Sequence, residues 1–286
     1  MPELPEVEAL ARRLTERVAG LEVTRVEVAA LAALKTFDPP PEALVGARAE
    51  RCERRGKYLC LATGDGPWLV AHLARGGWLR WRDELPEARA KPGKGPLALR
   101  VGFGGGGFEL TEAGTEKRLG VWVVHDPQAV QGVARLGVDA LSADFTVDAL
   151  ASLLAGRNGP VKAVLVDQSA IAGVGNAYSD EALHAARLSP FKPAARLGGE
   201  EVARLHAALV GVLGDALERS LGLPEARLKD GKRAAMAVHG RTGSECPVCG
   251  DTVREVSFAT RSWQYCPTCQ TGGRPLADRR LSRLLR

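Results

Sequence analysis

The first residues of the chain carry groups that suit nucleophilic chemistry. Removal of Met1 would leave Pro2 as the N-terminal residue, with a free secondary amine. An α-amino group has a reference pKa near ~8, far below that of lysine, and the positive end of a helix starting here would lower it further. A neutral secondary amine can attack an aldehyde or a sugar C1′ atom to form an iminium, and Glu3 beside it can transfer protons. These residues are therefore candidates for covalent catalysis.

The same residues also have a purely structural interpretation. Pro2 suits the first turn of a helix, and Glu3 and Glu6 complement the positive end of its dipole. Apolar residues then recur at helical spacing, at Val7, Leu10, Leu14 and Val18. Gly20 would end this helix. Composition alone favours a capped amphipathic helix, and both interpretations stay open at this point.

Four of the six cysteines form two C-x-x-C pairs separated by sixteen residues, at Cys246, Cys249, Cys266 and Cys269. Thiolates at this spacing are typical of a tetrahedral zinc site, and four of them leave no coordination position for water. We therefore predict one structural zinc ion that holds a hairpin and does not catalyse; a pair of disulfides is the weaker alternative. Cys52 and Cys60 lie in one strand-like stretch and are expected to be buried as small apolar residues.

Length and charge set broad limits on the kind of protein. The 286 residues suffice for two domains, and 39 Lys+Arg against 34 Asp+Glu give a net charge of +5. This balance permits a polyanionic partner without requiring one. No apolar run approaches the ~20 residues of a membrane span, and the acidic start does not look like a secretion signal. We expect a cytoplasmic protein without a membrane partner.

Up to about residue 125 the sequence predicts strands after the first helix. The predicted strands are LEVTRVEVA, KYLCLAT, PWLVAHL, WLRW, LALRVGF, FELT and GVWVVH. A literal G-x-G-x-x-G runs from Gly102 to Gly107. Because strand-like residues follow it and no helix begins there, it predicts a hairpin turn and not a dinucleotide site.

From about residue 145 the pattern changes to helices. The predicted helices are VDALASLL, PVKAVLVDQ, NAYSDEALHAA and EEVARLHAALVGVLGDALERSL. The glycine-rich turn SAIAGVGN leads to Asn176, which is a predicted N-cap. Such a turn before a helix can bind a phosphate group, although a plain connection between two helices also explains the glycines. The chain ends in TGGRPLADRRLSRLLR, a short basic helix or tail.

Four features in order are MPELPEVE, the lysine of RRGKYL, the GVGN turn and the four-cysteine ribbon. Together they resemble the formamidopyrimidine-DNA glycosylase and endonuclease VIII family of base-excision repair enzymes, over nearly the whole chain. Leu4 is more similar to the formamidopyrimidine branch, since the other branch typically has glycine there. The resemblance implies an α+β fold: an N-terminal catalytic β-sandwich with flanking helices (1–128), a linker and helix-two-turn-helix domain (129–237), a four-cysteine zinc finger (238–272) and a basic tail (273–286).

The resemblance also implies a function and a set of site residues. The protein would be a DNA glycosylase with AP lyase activity that removes oxidised or ring-opened bases through an iminium on Pro2 and cleaves the strand by elimination. Glu3 would donate and accept protons, Glu6 would be a supporting carboxylate, and Lys57 would contact DNA phosphate and assist the elimination. The implied DNA-binding residues are His72, Arg118, Asn176 and Arg261.

The implied partner is damaged double-stranded DNA, bound by a monomer. Reaching a glycosidic carbon requires the nucleotide to rotate out of the duplex, and phosphate contacts from both domains can offset that cost. We expect a cleft between the strand-rich and helical domains, rimmed by Lys57, Asn176 and Arg261. The alternative is a catalytically weak or non-catalytic damaged-DNA-binding member of the same fold. An intact Pro2–Glu3 pair argues against it, because binding alone requires neither residue.

The sequence departs from the formamidopyrimidine branch at the positions whose side chains fill the gap that the rotated nucleotide leaves in the DNA helix. Arg75 stands where members usually have methionine, and EKRLG supplies Arg118 and Leu119 where they have arginine and phenylalanine. The segment GKRAAMA is short where 8-oxoguanine-specific members carry a longer lesion-covering loop. These differences predict poor excision of 8-oxoguanine relative to abasic sites, oxidised pyrimidines and ring-opened purines. The preferred lesion, the opposite base and the choice between β and β,δ elimination stay open.

Overall fold

The computed structural model describes residues 1–64, 66–93, 95–258 and 261–276. These residues form two compact units. Unit 1 holds residues 1–136 with 223–228, and unit 2 holds residues 137–222 and the chain from 229 onward. None of the helices in the described ranges combines the length and apolar character that a bilayer span requires.

Helix α1 of unit 1 spans Leu4–Val18 and begins later than the sequence predicts. Glu3 is its N-cap residue, so Pro2 precedes the helix and Pro5 lies in the first turn instead. Glu6 accepts a hydrogen bond from the Glu3 backbone N–H at 2.8 Å, which satisfies one free donor of the helix start. After the helix ends, Gly20 adopts a left-handed conformation with φ of 80°.

Unit 1 is a sandwich of two antiparallel four-stranded sheets, which confirms the predicted fold class. Its strands are β1 Val23–Val28, β2 Ala49–Arg55, β3 Tyr58–Thr63, β4 Trp68–His72, β5 Gly77–Arg82, β6 Leu97–Phe103, β7 Gly106–Glu112 and β8 Gly120–Val124. One sheet has the order β1-β6-β7-β5 and the other β2-β3-β4-β8. Apolar residues of α1 and of both sheets share one core, which fixes the position of the N-terminal segment.

Two sequence predictions for unit 1 need comment. The glycine-rich segment is the β6–β7 hairpin, as predicted, and a Cβ on Gly107 would meet the Val101 carbonyl oxygen at 2.2 Å. Cys52 and Cys60 are both buried, as predicted, but placing them in one stretch was wrong. They lie on the paired strands β2 and β3, because the chain reverses between them.

The remaining helices are α2 Gln131–Ala134, α3 Val147–Leu154, α4 Val161–Leu165, α5 Asn176–Ala185, α6 Gly199–Gly222, α7 Leu228–Ala235 and α8 Pro267–Thr271. The four predicted helices correspond to α3–α6. Short strands β9 (Val138–Asp139) and β10 (Ile171–Ala172) pair in parallel, and β11 (Arg254–Ser257) and β12 (Ser262–Tyr265) form an antiparallel hairpin.

Two expectations for unit 2 change, and most of the predicted basic tail is not tested. Asn176 is the first residue of α5 and Gly175 is its N-cap, so the predicted cap was one residue late. Most of the segment expected as a short loop, residues 231–237, belongs to α7. The chain forms α8 just before the predicted basic tail, and residues 277–286 of that tail lie outside the described part of the chain.

Candidate active site and metal centre

The N-terminal segment is held by the protein interior. Pro2 is buried, and Glu3 and Glu6 are only 2% and 1% exposed. Both carboxylates lie at the start of α1, where the helix dipole favours negative charge. The hydrogen bond from the Glu3 N–H to Glu6 fixes the peptide unit next to Pro2. Sequence-predicted residues Pro2, Glu3 and Glu6 are therefore brought together in one ordered segment.

Lys57 lies in the tight turn that joins β2 to β3. Arg55 pairs with Tyr58 across this hairpin, which leaves Gly56 and Lys57 as the two turn residues. Gly56 has φ of 56°, a left-handed conformation that glycine adopts without strain. Lys57 is only 7% exposed, which is unusual for a lysine in a hairpin turn.

His72 ends β4 directly opposite Tyr58, with their ring centroids 4.8 Å apart. Burial and then the positive charge of Lys57 lower the pKa of His72 to about 4. The imidazole is therefore neutral near pH 7 and can take part in hydrogen bonds without adding positive charge. The structure brings Lys57 and His72 close enough for this electrostatic coupling.

The residues expected to fill a vacated DNA helix differ in exposure. Arg75 and Arg118 are exposed, and the Arg118 guanidinium pairs with Glu116 at 3.0 Å. The buried Glu112 carboxylate accepts the backbone N–H groups of Arg118 and Leu119 at 2.9 Å and so fixes this loop. Leu119 is 2% exposed and packs in the core, so in this conformation it contributes no surface beside Arg118.

A buried ionic network, which sequence reasoning missed, supports the glycine-rich turn of unit 2. Lys162 and Asp180 are fully buried and form an ion pair. The Lys162 ammonium also donates to the Asn176 backbone oxygen at 2.9 Å. The second oxygen of Asp180 lies 2.8 Å from Nδ1 of His239. Glu181 accepts three backbone hydrogen bonds, from Ala237, Val238 and His239.

The two predicted phosphate-binding residues of unit 2 meet at the β11–β12 hairpin. The Asn176 side-chain amide donates to the Ser262 carbonyl oxygen at 2.9 Å. Arg261 is exposed, and its guanidinium carbon lies 5.9 Å from the Trp263 ring centroid. The Trp263 ring is packed by two further aromatic residues, Phe191 and Phe258. Asn176 and Arg261 are therefore fixed by the same hairpin.

The two C-x-x-C pairs converge as a zinc site requires. The four residues are free cysteines, so the disulfide alternative is not realised. The sulfur atoms of Cys246 and Cys269 lie 3.9 Å apart. Those of Cys249 and Cys266 lie 3.4 Å apart. A tetrahedral ion with Zn–S bonds of ~2.3 Å separates its ligand sulfurs by about 3.8 Å, so the donor set fits one zinc ion.

His184 lies against this metal site and was not identified from the sequence. Its Nε2 atom is 3.3 Å from the sulfur of Cys246, and the residue is 5% exposed. A single histidine within a helix carries little signal by itself. However, Asn176, Asp180 and His184 follow one another at intervals of four residues on α5. This spacing places all three on one face of the helix and indicates a shared polar face.

Three family models match successive parts of the chain. They are the formamidopyrimidine-DNA glycosylase N-terminal domain (1–114), the formamidopyrimidine-DNA glycosylase H2TH domain (136–224), and the zinc finger found in FPG and IleRS (243–272). The formamidopyrimidine-DNA glycosylase of Symbiobacterium thermophilum is 38% identical over 290 residues, which cover 94% of this chain and 89% of the relative.

Solved structures match at the level of the whole chain. The crystal structure of the MutM (Fpg) protein from Thermus thermophilus has a TM-score of 0.80 at 34% identity, covering 96% of this chain and all of that one. The Lactococcus lactis formamidopyrimidine-DNA glycosylase, bound non-covalently to DNA containing an AP site, has a TM-score of 0.82 at 26% identity. That match covers 94% of this chain and 99% of the other.

Proposed function

The chain belongs to the formamidopyrimidine-DNA glycosylase family and is a DNA glycosylase of base excision repair, and we propose that it excises the base through the amine of Pro2 and then cleaves the strand. The observation that carries this proposal is the ordered Pro2–Glu3–Glu6 segment at the positive end of α1. A protein that only bound DNA would have no need of a proline at the position that becomes the N-terminus when Met1 is removed. The proposed substrates are oxidised or ring-opened bases and abasic sites.

In the proposed reaction, the lone pair of the Pro2 amine forms a bond to C1′ of the damaged nucleotide. The C1′–N bond to the base breaks, and the base leaves with that electron pair and a proton. Glu3 supplies and removes protons as the sugar opens to an iminium. Loss of a C2′ proton then expels the 3′ phosphate and cuts the strand. Glu6 acts by holding the Glu3 backbone, which is a positioning role.

Phosphate binding in this proposal is divided between the two units. Lys57 provides the positive charge of unit 1, and neutral His72 provides a hydrogen bond beside it. Asn176, at the N-terminus of α5, and Arg261 bind phosphate in unit 2, where the helix dipole also attracts anions. The structural zinc ion holds the hairpin that carries Arg261. We expect a monomer to act on double-stranded DNA.

The proposed lesion preference disfavours 8-oxoguanine. Discrimination of a base that differs from guanine by few polar atoms needs donors and acceptors placed against its edge. The segment 231–237 corresponds to a longer lesion-covering loop in 8-oxoguanine-specific members. Here most of it is the end of helix α7, and four of its seven residues are glycine or alanine, which leaves Lys232 and Arg233 as its side-chain donors. Arg75 and Arg118 can hydrogen-bond an orphaned base but cannot stack as an apolar wedge would. Abasic sites require neither feature.

Borohydride trapping tests the nucleophile. Wild-type protein mixed with an abasic duplex should give a covalent protein–DNA adduct, and mass spectrometry should place it on the peptide that begins with Pro2. Pro2→Gly should lose most of the adduct and the strand cleavage. An adduct of equal yield from Pro2→Gly would sink the assignment, and tight binding with no adduct from wild type would support the non-catalytic alternative.

The role of Glu3 is tested by separating the two activities. Glu3→Gln should lower base excision by roughly 10²- to 10⁴-fold, the usual contribution of general acid–base catalysis, while much of the cleavage of abasic strands remains. Glu16→Gln is the matched control, since Glu16 is an exposed glutamate on the same helix. Equal excision by the Glu3 and Glu16 variants would exclude the proposed role.

A further inference from the structure

The zinc site has more donor atoms close together than a four-coordinate ion uses. The ligand atoms of His184, Cys246, Cys266 and Cys269 lie within 4.8 Å of one another. Cys249 adds a fourth sulfur, 3.4 Å from that of Cys266. The family assignment accounts for the four cysteines and leaves His184 without a role.

The five donors differ in their access to water. Cys246 and Cys266 are 2% and 0% exposed, and His184 is 5% exposed. Cys249 is the exposed cysteine of the set. It lies in the CPVC turn, where Val248 is also 60% exposed. Cys249 is therefore the ligand that solvent reaches most easily, whereas His184 contacts the site from the interior.

Helix α5 holds His184 in place independently of the cysteine turns. The residue lies in the last turn of α5, where the Arg187 N–H donates to its carbonyl oxygen at 3.0 Å. One turn earlier, Asp180 and Glu181 anchor the helix through buried hydrogen bonds. The imidazole therefore stays beside Cys246 whichever cysteines bind the ion.

We propose that His184 is a reserve zinc ligand that replaces Cys249. In this exchange the bond between zinc and the Cys249 sulfur breaks, a bond between zinc and Nε2 of His184 forms, and the released thiolate takes a proton from water. The imidazole binds as the neutral form with its proton on Nδ1. The product is a site of three sulfurs and one nitrogen, a common structural zinc set. The exchange lets the protein keep its zinc and its β11–β12 hairpin after the exposed ligand is lost.

Metal content of the full-length protein tests the proposal. Cys249→Ser should retain one zinc per chain, whereas Cys249→Ser/His184→Leu should bind zinc more weakly by roughly tenfold or more in competition with a chelator. Cys249→Ser/His125→Leu is the matched control, because His125 is an exposed histidine of unit 1. Equal zinc affinity of the Cys249→Ser protein and its His184→Leu derivative would overturn the proposal.

Cobalt substitution gives a second readout that does not depend on the double variant. Co²⁺ in wild-type protein should show the visible absorption of four thiolates, and His184→Leu should show the same spectrum if it folds normally. In Cys249→Ser the charge-transfer intensity should fall to about three-quarters, with ligand-field bands shifted to higher energy as for a three-sulfur, one-nitrogen site. A spectrum of three sulfurs and one oxygen in Cys249→Ser, or loss of the ion, would refute the exchange.

Discussion

Removal of the buried ammonium group of Lys162 should destabilise unit 2. In Lys162→Met the fully buried Asp180 carboxylate loses its ion-pair partner, and the Asn176 carbonyl loses a 2.9 Å hydrogen bond. Breaking a buried pair on one side costs up to about 3–5 kcal/mol, because the carboxylate left in the interior has lost its charged partner and keeps its contact with Nδ1 of His239. At roughly 2–4 °C per kcal/mol for a chain of this size, the melting temperature should fall by about 10 °C.

Lys192→Met is the matched control for this variant. Lys192 forms an ion pair with Glu201 in the same unit, but both side chains are partly exposed, at 30% and 26%. Pairs of this kind contribute about 0–1 kcal/mol. Chemical unfolding of unit 2 can be followed through the resolved indole N–H NMR signal of Trp263, because the other four tryptophans lie in unit 1 and Trp263 lies 5.8 Å from the Lys162 ammonium.

The double variant Lys162→Met/Asp180→Leu distinguishes a charge penalty from a packing defect. If the cost of Lys162→Met is the stranded carboxylate, removing that carboxylate should recover much of the lost free energy of unfolding. DNA affinity should stay low in both variants, because the Asn176 turn has lost its support. A Lys162→Met protein as stable as Lys192→Met would refute the reasoning.

Four further outcomes are expected. Burial and Lys57 hold His72 neutral, so the free energy of unfolding should decrease by up to roughly 3 kcal/mol as pH falls from 6.5 toward 4, because only the unfolded state binds that proton. Lys57→Met should raise the pKa of His72 in an NMR titration yet leave it below 6.5, since burial is the larger cause; an unchanged pKa would contradict the coupling. Trp263→Leu should weaken DNA binding as Arg261→Ala does, each lowering the salt-dependence slope by about 1, with recovery in Trp263→Tyr. In single-turnover assays 8-oxoguanine opposite cytosine should be excised more slowly than an abasic site is cut, and equal rates would refute the lesion preference.

The sequence pattern predicted correctly those features that depend on residues close together along the chain. The predicted helices α3–α6, the β6–β7 hairpin and the paired C-x-x-C motifs each follow from local spacing, and the structure has all of them. Helix starts were less predictable. Pro2 was expected in the first turn of α1, but Glu3 is the N-cap and Pro2 precedes the helix, because Glu6 accepts the Glu3 backbone N–H. Asn176 was expected as the cap of α5, but it is the first helical residue and Gly175 is the cap.

The residues that the sequence did not identify are those whose partners are distant along the chain. Lys162 and Asp180 are eighteen residues apart, and Asp180 and His239 are fifty-nine apart, so no local window contains either pair. Lys162 reads as an ordinary surface lysine of a short helix. Its burial becomes evident only when α4 and α5 pack together with the hairpin.

Helix α5 carries both a residue that the sequence predicted, Asn176, and residues that it did not identify, Asp180 and His184. Asn176, Asp180 and His184 follow one another at four-residue spacing, so they form a polar stripe along one face of the helix. Each contacts a different part of unit 2: the hairpin carbonyl of Ser262, the buried Lys162, and the sulfur of Cys246. Burying Asp180 and His184 and half-burying Asn176 on one face costs stability that an apolar stripe would not. That cost is explained if the stripe serves the proposed function, in which the Asn176 turn and the hairpin that carries Arg261 must keep a fixed spacing to bind phosphates of the DNA. One helix, with a polar residue at every fourth position, sets that spacing.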